Sequence, residues 1–499
     1  MGKLINRKKH LFSEEELEDD EIDDMDEDDF DIDEDEDDVE EDDDDDDDDD
    51  DDIEEEDDEV EEEESEEDRR SYRRKRRVRN QIIAYSVVVL FIIALVIGGI
   101  VAGQRISTSL KAKKQEAELE AARLEQEQEQ QQPDEMIIEA PPTIEVATID
   151  EQLDEIVDNF ISTMPLEDKI AGLFIITPEA LTGVENVTQA ADATQEALNQ
   201  YAVGGLIYFS QNILDKEQLT EMISATTSRS RYPIFFAVDE EGGEVSRVAN
   251  SDIEVIKVDN MADIGANGDA AAAYETGMTI GSYLKDLGFN LNFAPVADVV
   301  TDEGSDILGS RSFGTDAGVC AEMVTNVVDG MQGTGVSACL KHFPGVGSAN
   351  EDTHDGKVEM ETTLDSMKNS DFIPFQAGIE AGADFVMVSH VVAVSLDEDM
   401  VPSSFSSVVV TDILRGELGF DGVIITDALD MGAITDNYAS DEAAIKAIVA
   451  GVDMLLMPEN FEEAYTGLLT AVQEGIIPEE RINESLRRIY RIKYANKLT

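Results

Sequence analysis

The sequence predicts an α/β fold, a (β/α)8 barrel, for residues 146–499 of the 499-residue chain. Short apolar runs alternate there with segments of helical length, and polar residues follow several of the runs. A doubly wound open sheet would show the same alternation and remains the alternative. Eight apolar runs are the predicted strands: Gly172–Ile176, Gly205–Phe209, Ile234–Val238, Leu291–Val296, Ala338–His342, Phe385–Ser389, Val423–Thr426 and Met454–Met457.

Residues 1–68 carry much of the charge of the chain. They hold 46 of its 116 Asp and Glu side chains against four Lys or Arg, in a chain whose formal net charge is −80. Because like charges repel and apolar residues are scarce, we expect a disordered acidic tail, whose partner the sequence does not identify. The excess of acid also argues against nucleic acid as a ligand, since phosphates need neutralisation by Lys and Arg.

The next segments predict a membrane anchor. Residues 69–80 contain eight Lys or Arg side chains, and within residues 81–103 the stretch Ile82–Gly103 has no charged side chain. A helix of that length, ~33 Å, crosses a bilayer. The basic cluster on its N-terminal side predicts a single-pass protein of the cell membrane with a cytoplasmic N-terminus. Residues 104–145 are then a stalk or linker, and residues 146–499 are extracellular, as in a Gram-positive bacterium.

Polar residues stand at the C-terminal ends of the predicted strands, where the side chains of a parallel barrel converge. These residues are Asp239, Asp298, Lys341, His342, His390 and Asp427. A single polar residue at such a position is commonly a helix cap or a satisfied hydrogen-bonding group. Several at one mouth indicate a site for binding or chemistry instead.

A loop follows the fifth predicted strand and carries Asp352 and His354 two residues apart. That spacing lets a carboxylate hold one imidazole nitrogen and favour the protonated ring, so that the other nitrogen can act as an acid near neutral pH. The pair is therefore a candidate general acid/base. From the loop alone, Asp352 could equally be a turn residue and His354 a surface residue.

Six motifs stand in order along the chain: VDEEGGEVSR (Val238–Arg247), NFAPVADV (Asn292–Val299), GSRSFGTD (Gly309–Asp316), KHFPGVG with DTH (Lys341–Gly347 and Asp352–His354), VMVSH (Val386–His390) and ITDALDMGAI (Ile425–Ile434). Together they resemble glycoside hydrolase family 3 and in particular its NagZ-type β-N-acetylglucosaminidases. The resemblance covers essentially the whole of residues 146–499 and implies a TIM-like barrel.

The resemblance also implies a retaining two-step mechanism on a terminal β-linked N-acetylglucosamine (GlcNAc). Because the domain is expected outside the cell membrane, peptidoglycan fragments are the expected glycan. Asp427 would form a covalent glycosyl-enzyme, and His354, oriented by Asp352, would be the general acid/base. Residues expected to bind the sugar are Asp239, Arg247, Arg311, Lys341 and His342, with His390 in a supporting role. We expect no cofactor and no metal. Asp427 would have to stay ionised, for which Lys341 or Arg311 could supply the opposite charge.

Two positions depart from the family pattern. Val346 stands where the common PGHG motif has histidine, and Glu244 stands where the common DQEGGR motif ends in arginine. Neither change removes a proposed catalytic group, but both bear on the leaving group and on the N-acetyl preference. A β-glucosidase and a glycosyl phosphorylase of the same family therefore remain alternatives.

Two alternatives lie outside this chemistry. A metal-dependent hydrolase would use His342, His354, His390 and Asp427 as ligands, but the HxH pair common at the first strand of barrel metallohydrolases is missing. A non-catalytic, membrane-anchored glycan-binding protein is the other. The two cysteines form no CxxC pair; Cys320 is predicted in a helix and Cys339 in a strand, as buried thiols.

Overall fold

The computed structural model describes residues 148–301, 308–349, 352–354 and 356–495. Eight parallel strands form a closed barrel in which the first strand pairs with both the second and the last. The strands are β1 Phe174–Ile176, β2 Gly205–Ile207, β3 Phe235–Val238, β4 Leu291–Asn292, β5 Ser337–Phe343, β6 Phe385–Val388, β7 Val423–Ala428 and β8 Met454–Leu456. The predicted barrel is confirmed, and the open-sheet alternative is wrong because no edge strand is left unpaired.

Each of the eight predicted runs overlaps a barrel strand. The largest difference is in the fourth, where the ladder ends at Asn292. Beyond Asn292 the chain still bonds to its neighbours, because the Phe293 N–H donates to the Val238 carbonyl and the Cys339 N–H donates to the Ala294 carbonyl. Pro295 has no N–H to donate, so the regular ladder is interrupted and only a bridge joins Val296 to Lys341. The polar residue that follows this run, Asp298, therefore lies in a loop and not at the end of the strand itself.

Helices surround the barrel in the described residues. The α-helices are Ile149–Ser162, Leu166–Ala171, Pro178–Thr182, Asp192–Gln200, Lys216–Arg229, Met261–Asn267, Ala270–Leu287, Ala317–Gln332, Leu364–Asn369, Phe372–Glu380, Gly432–Thr435, Ser440–Ala450, Phe461–Gln473 and Glu479–Ala495. Short 3-10 helices span Ser210–Asn212, Gly309–Arg311 and Ser403–Phe405, and Val408–Glu417 is a π-helix.

The N-terminal end of the barrel is closed by the helix Glu479–Ala495. Asp453, directly before β8 and fully buried, bonds with Arg415, Arg481 and Arg488. A buried carboxylate is tolerated because these cations surround it. The opposite end of the barrel, where the strands finish, is left free for the polar residues.

A two-stranded hairpin follows β3 and places several of those residues. Glu240–Gly242 pairs antiparallel with Val245–Ser246. The buried Glu240 carboxylate accepts the N–H groups of Val248 and Ala249 at 2.7 and 2.9 Å, which fixes the returning chain. At the turn, Gly243 has φ +57°, and a Cβ there would lie 2.0 Å from Asn260 Oδ1, so only glycine fits.

Cys320 lies in the helix Ala317–Gln332 and Cys339 in β5, both buried and unbridged, as predicted. No helix within the described ranges is long and apolar enough to span a bilayer. The predicted acidic tail (1–68), basic segment (69–80), membrane span (81–103) and stalk (104–145) lie outside the described residues.

Candidate active site

A cavity of about 410 Å³ opens at the C-terminal end of the barrel. Its floor is formed by apolar strand residues, among them Ile207, Met387 and Leu456. Eight of the nine site residues predicted from the sequence line it: Asp239, Arg247, Arg311, Lys341, His342, Asp352, His354 and Asp427. A pocket with an apolar floor and several convergent polar groups is typical of a site for a small ligand.

Asp427 is the penultimate residue of β7 and is partly buried. The Ala428 N–H donates to its Oδ1 at 2.8 Å. Burial alone would raise its pKa, but His342 and His390, the Ala428 N–H and the positive charge of Lys341 hold the pKa below its ordinary value. Burial opposes the charge of Lys341, but Asp239 and Glu241 raise its pKa, so Lys341 stays charged at neutral pH. Asp427 is therefore an ionised carboxylate at the cavity wall.

His354 is held by Asp352 and by the segment that follows β7. Its Nδ1 lies 2.8 Å from Asp352 Oδ1, and its backbone N–H donates to the same oxygen at 2.9 Å. Burial would raise the pKa of Asp352, but the bonds to His354 lower it. The Ala433 N–H donates to the Thr353 carbonyl, which docks the loop beside the strand of Asp427. The side chain of His354 is 72% exposed and lines the cavity, with Nε2 as the ring nitrogen that Asp352 does not hold.

A buried ion-pair network forms another part of the wall. The Lys341 Nζ lies 2.9 Å from Asp239 Oδ1 and 2.7 Å from Glu241 Oε1. Arg311 donates from Nε and Nη2 to the two oxygens of Glu241, each at 2.8 Å. Burial opposes ionisation of Glu241, yet Lys341 and Arg311 lower its pKa to about 2. The network fixes both cations at the positions from which they face the cavity.

Arg247 and Asp239 lie next to each other at the entrance. The Arg247 guanidinium lies 5.6 Å from the centre of the Phe209 ring, and its Nη2 is 3.8 Å from Asp239 Oδ2. Its buried Nε has no hydrogen-bond partner among the described residues. The arrangement leaves a charged donor directed at whatever occupies the cavity.

His342 is oriented by Asp298, which is fully buried. Asp298 Oδ2 lies 2.8 Å from His342 Nδ1 and accepts its backbone N–H at 3.0 Å. The other oxygen accepts the Val346 N–H at 2.8 Å. One carboxylate therefore sets both the ring of His342 and the turn that carries Val346 into the cavity wall.

His390, the ninth predicted residue, is fully buried and does not line the cavity. Its Nδ1 is 2.9 Å from Ser404 Oγ, and its Nε2 is 2.9 Å from the Ala428 carbonyl. Both nitrogens are thus engaged with the protein, and the side chain supports the end of β7 from behind. No three of the His, Cys, Asp and Glu side chains within the described ranges form a group that could hold a metal ion.

Three acidic residues of this site were given no catalytic or sugar-binding role from the sequence. Glu241 and Asp298 hold the predicted cations and imidazole, and Asp430, in the turn after β7, lines the cavity. The sequence contained a signal for Asp298, which follows the fourth apolar run, and for Glu241, which is two residues after Asp239. Spacing alone did not distinguish such supporting carboxylates from helix caps.

Substitution of Glu241 by glutamine is expected to change how stability depends on pH. Because the folded-state pKa of Glu241 is lowered from 4.5 to about 2, the ionised group stabilises the fold above pH 4.5, and this contribution is lost as pH falls toward 2. The difference in unfolding free energy between wild type and Glu241→Gln should be largest at neutral pH and shrink in acid. Urea unfolding at about pH 7, 4.5 and 3 measures it.

Glu240→Gln is the matched control, since burial raises the pKa of the neighbouring Glu240 above its ordinary value. The wild type should gain stability relative to this variant as pH falls, the opposite slope. Parallel pH profiles for the two variants would contradict the assigned network.

Fold and site together define a class of protein. A (β/α)8 barrel whose strand ends bring an ionised carboxylate, a carboxylate-held imidazole and paired charged groups to one cavity has the groups that cleavage of a glycoside requires. Residues 165–492 match the model of the glycosyl hydrolase family 3 N-terminal domain. The chain therefore belongs to glycoside hydrolase family 3, as its motifs predicted.

Relatives of the chain include bacterial hexosaminidases. It is 32% identical over 327 residues to a β-hexosaminidase A of Pseudoalteromonas piscicida, covering 60% of this chain and 54% of that protein. It is 34% identical over 283 residues to a β-hexosaminidase of Stenotrophomonas maltophilia, covering 56% of this chain and 83% of that protein. The chain thus spans about half the length of the first of these relatives.

Among solved structures, the chain is similar to a glycoside hydrolase family 3 β-N-acetylglucosaminidase from Paenibacillus sp. str. FPU-7. The TM-score is 0.63 at 35% identity, covering 67% of this chain and 63% of that one. A β-glucoside phosphorylase, BglX, shares the fold with a TM-score of 0.62 at 24% identity, covering 70% of this chain and 62% of that one.

Proposed function

We propose that the protein is an exo-acting, retaining β-N-acetylglucosaminidase that releases terminal GlcNAc from glycans. The observation that carries the proposal is the shared cavity: the ionised Asp427 and the Asp352-held His354 line the same space. Cleavage of a glycoside needs an anion beside the oxocarbenium-like carbon and an acid at the departing oxygen. The β-hexosaminidase relatives and the Paenibacillus β-N-acetylglucosaminidase support GlcNAc as the sugar.

The reaction proceeds in two steps. A carboxylate oxygen of Asp427 attacks C1 while His354 Nε2 gives its proton to the glycosidic oxygen; the C1–O bond breaks and a covalent glycosyl-enzyme forms. In the second step His354 takes a proton from water, and the resulting hydroxide attacks C1 and releases Asp427. Asp352 holds Nδ1 throughout, which keeps Nε2 as the nitrogen that exchanges the proton.

The remaining polar residues suit one bound sugar ring. Asp239 and His342 can accept or donate hydrogen bonds to hydroxyl groups, and Arg247, Arg311 and Lys341 supply charged donors that strengthen such bonds. Because the interior of such a barrel is packed with side chains, the cavity is closed on the side of the barrel. We therefore expect a glycan to enter by its end. That closure supports exo action, with the leaving group at the mouth near His354.

We also propose that residues 81–103 anchor the domain in the cell membrane with the barrel outside, where peptidoglycan fragments would be available. The support is in the sequence: an uncharged stretch, Ile82–Gly103, preceded by eight Lys or Arg in residues 69–80. Full-length protein should remain with membranes after alkaline carbonate washing, and protease added to intact cells should remove the barrel. Release by carbonate would exclude the anchor, and protection from protease would exclude the orientation.

Hydrolysis of an aryl β-N-acetylglucosaminide against the aryl β-glucoside tests the activity directly. The wild type should prefer the first substrate, and NMR should show the β-anomer of GlcNAc as the first product. The same reaction in phosphate buffer distinguishes a hydrolase from a phosphorylase, because a phosphorylase would yield the sugar 1-phosphate. Cleavage of neither substrate, or an α-anomer as first product, would exclude the proposed mechanism.

A further inference from the structure

Ser389 is a residue of the cavity wall to which neither the sequence motifs nor the mechanism gives a role. It directly follows the last residue of β6. Met387, Ser389 and Val391 all line the cavity, as expected for alternate residues that share one face of an extended chain. The Ser389 side chain is therefore part of the surface that a ligand meets.

The hydroxyl of Ser389 is buried and has no partner. Of the buried side-chain polar atoms within the described ranges, four have no hydrogen-bond partner: Glu179 Oε2, Tyr208 Oη, Arg247 Nε and Ser389 Oγ. Two of these four belong to residues of this one cavity. Leaving a buried polar group unpaired costs about 1–3 kcal/mol, so an occupant that pairs with it is favoured.

Nearby serines show that the lack of a partner is specific to Ser389. The buried Ser403 donates to the Val391 carbonyl at 2.7 Å. Ser404, also buried, has its Oγ 2.9 Å from His390 Nδ1. The protein satisfies these hydroxyls and not that of Ser389, which leaves the Ser389 hydroxyl free to bond with a ligand in the cavity.

Strand register places Ser389 beside Asp427. Val388 of β6 pairs with Thr426 of β7. The residues that follow them, Ser389 and Asp427, are therefore neighbours in the cavity wall. On its other side, the Ser389 N–H donates to the Phe343 carbonyl of β5 at 2.8 Å. If Asp427 attacks C1, a group one strand away meets an atom attached to C1 or C2.

The chemistry of the transition state selects between those atoms. The ring oxygen attached to C1 gains positive charge in an oxocarbenium-like state, so it becomes a poor acceptor for a hydroxyl. The substituent on C2 stays polar, and hydrogen bonds there strengthen in the transition state. C2 is therefore the position at which an unpaired hydroxyl beside Asp427 is most useful.

We propose that Ser389 is a specificity-determining residue whose hydroxyl forms a hydrogen bond with the substituent on C2 of the bound sugar. The proposal rests on the proposed glycosidase function. It extends that function by naming which part of the sugar the end of β6 recognises.

The test compares Ser389→Ala with wild type on two aryl glycosides, one of GlcNAc and one of the 2-deoxy sugar that lacks the C2 substituent. For the GlcNAc substrate, kcat/KM should fall about tenfold, the value of one hydrogen bond. For the 2-deoxy substrate it should not change. The thermal midpoint should stay equal or rise, because the substitution removes an unpaired buried polar group.

Ser403→Ala is the matched control, since it removes a buried serine hydroxyl that has a partner. It should lower the thermal midpoint and change kcat/KM equally for both substrates. Unchanged kinetics in Ser389→Ala, an equal loss on both substrates, or a lowered midpoint as in the control would each overturn the proposal.

A second variant separates this proposal from the glycosidase function. In Ser389→Cys the new thiol replaces a group of the cavity wall, whereas Cys320 and Cys339 do not line the cavity. A small thiol reagent should label the variant and not the wild type, and GlcNAc should protect it more strongly than 2-deoxyglucose. If the wild type cleaves no aryl glycoside, the glycosidase function fails, and equal protection by the two sugars would still overturn the role of Ser389.

Discussion

Replacing Asp427 by glycine is expected to lower kcat for an aryl β-N-acetylglucosaminide by about 10⁴-fold or more, the scale of loss when a covalent nucleophile is removed. Asp427 is the carboxylate whose pKa is held below its ordinary value at the cavity wall. Without it no glycosyl-enzyme can form. Lys341 keeps its partners Asp239 and Glu241, so the sugar-binding network should persist.

Azide distinguishes this loss from damage to the fold. In Asp427→Gly the azide anion can occupy the space of the missing carboxylate, displace the aryloxide and give the α-glycosyl azide, one inversion from the β-substrate. Asp430→Asn is the control, because Asp430 also lines the cavity but lies in the exposed turn after β7. It should retain activity and give no azide product. A glycine variant that equals wild type, or one that azide does not rescue while GlcNAc still binds, would contradict the assignment.

The barrel was predictable because each strand is a short, continuous apolar run, buried on both faces. β5 and β7 are buried along most of their length, and the runs predicted for them differ from the observed strands by only one or two residues at an end. Hydrophobicity specifies burial but not the regularity of the ladder, which explains the difference in the fourth strand. There the apolar run continues to Val296, but the ladder stops at Asn292.

The site was predictable where a residue type and a strand end coincide, as for Lys341 and Asp427. The sequence could not show which way a side chain points at a strand end. His390 ends its run like His342 does, but its two nitrogens bond Ser404 and the Ala428 carbonyl behind the strand. Glu241 could not be assigned because its role depends on contacts with residues 70 and 100 positions away in the chain.

His354→Ala is expected to lower kcat/KM by about 10²–10⁴-fold for a substrate with a poor leaving group. A dinitrophenyl leaving group needs no proton. For that substrate the decrease in kcat/KM, which reports the first step, should therefore be much smaller. The reason lies in the contacts of the loop: Asp352 occupies the Nδ1 of His354, which leaves Nε2 of the exposed ring as the nitrogen that can give a proton to the departing oxygen. Rates for a series of aryl leaving groups, plotted against the pKa of the phenol, measure the effect.

Azide should also rescue this variant, but with the opposite stereochemistry. Here the covalent intermediate on Asp427 still forms, and azide attacks it from the side where water normally enters, which gives the β-glycosyl azide. Asp352→Asn should lie between wild type and His354→Ala, since the ring remains but its Nδ1 loses the carboxylate that favours the protonated form. An equal loss for good and poor leaving groups would place the proton donor elsewhere. An α-azide from His354→Ala would mean that the covalent intermediate on Asp427 does not form.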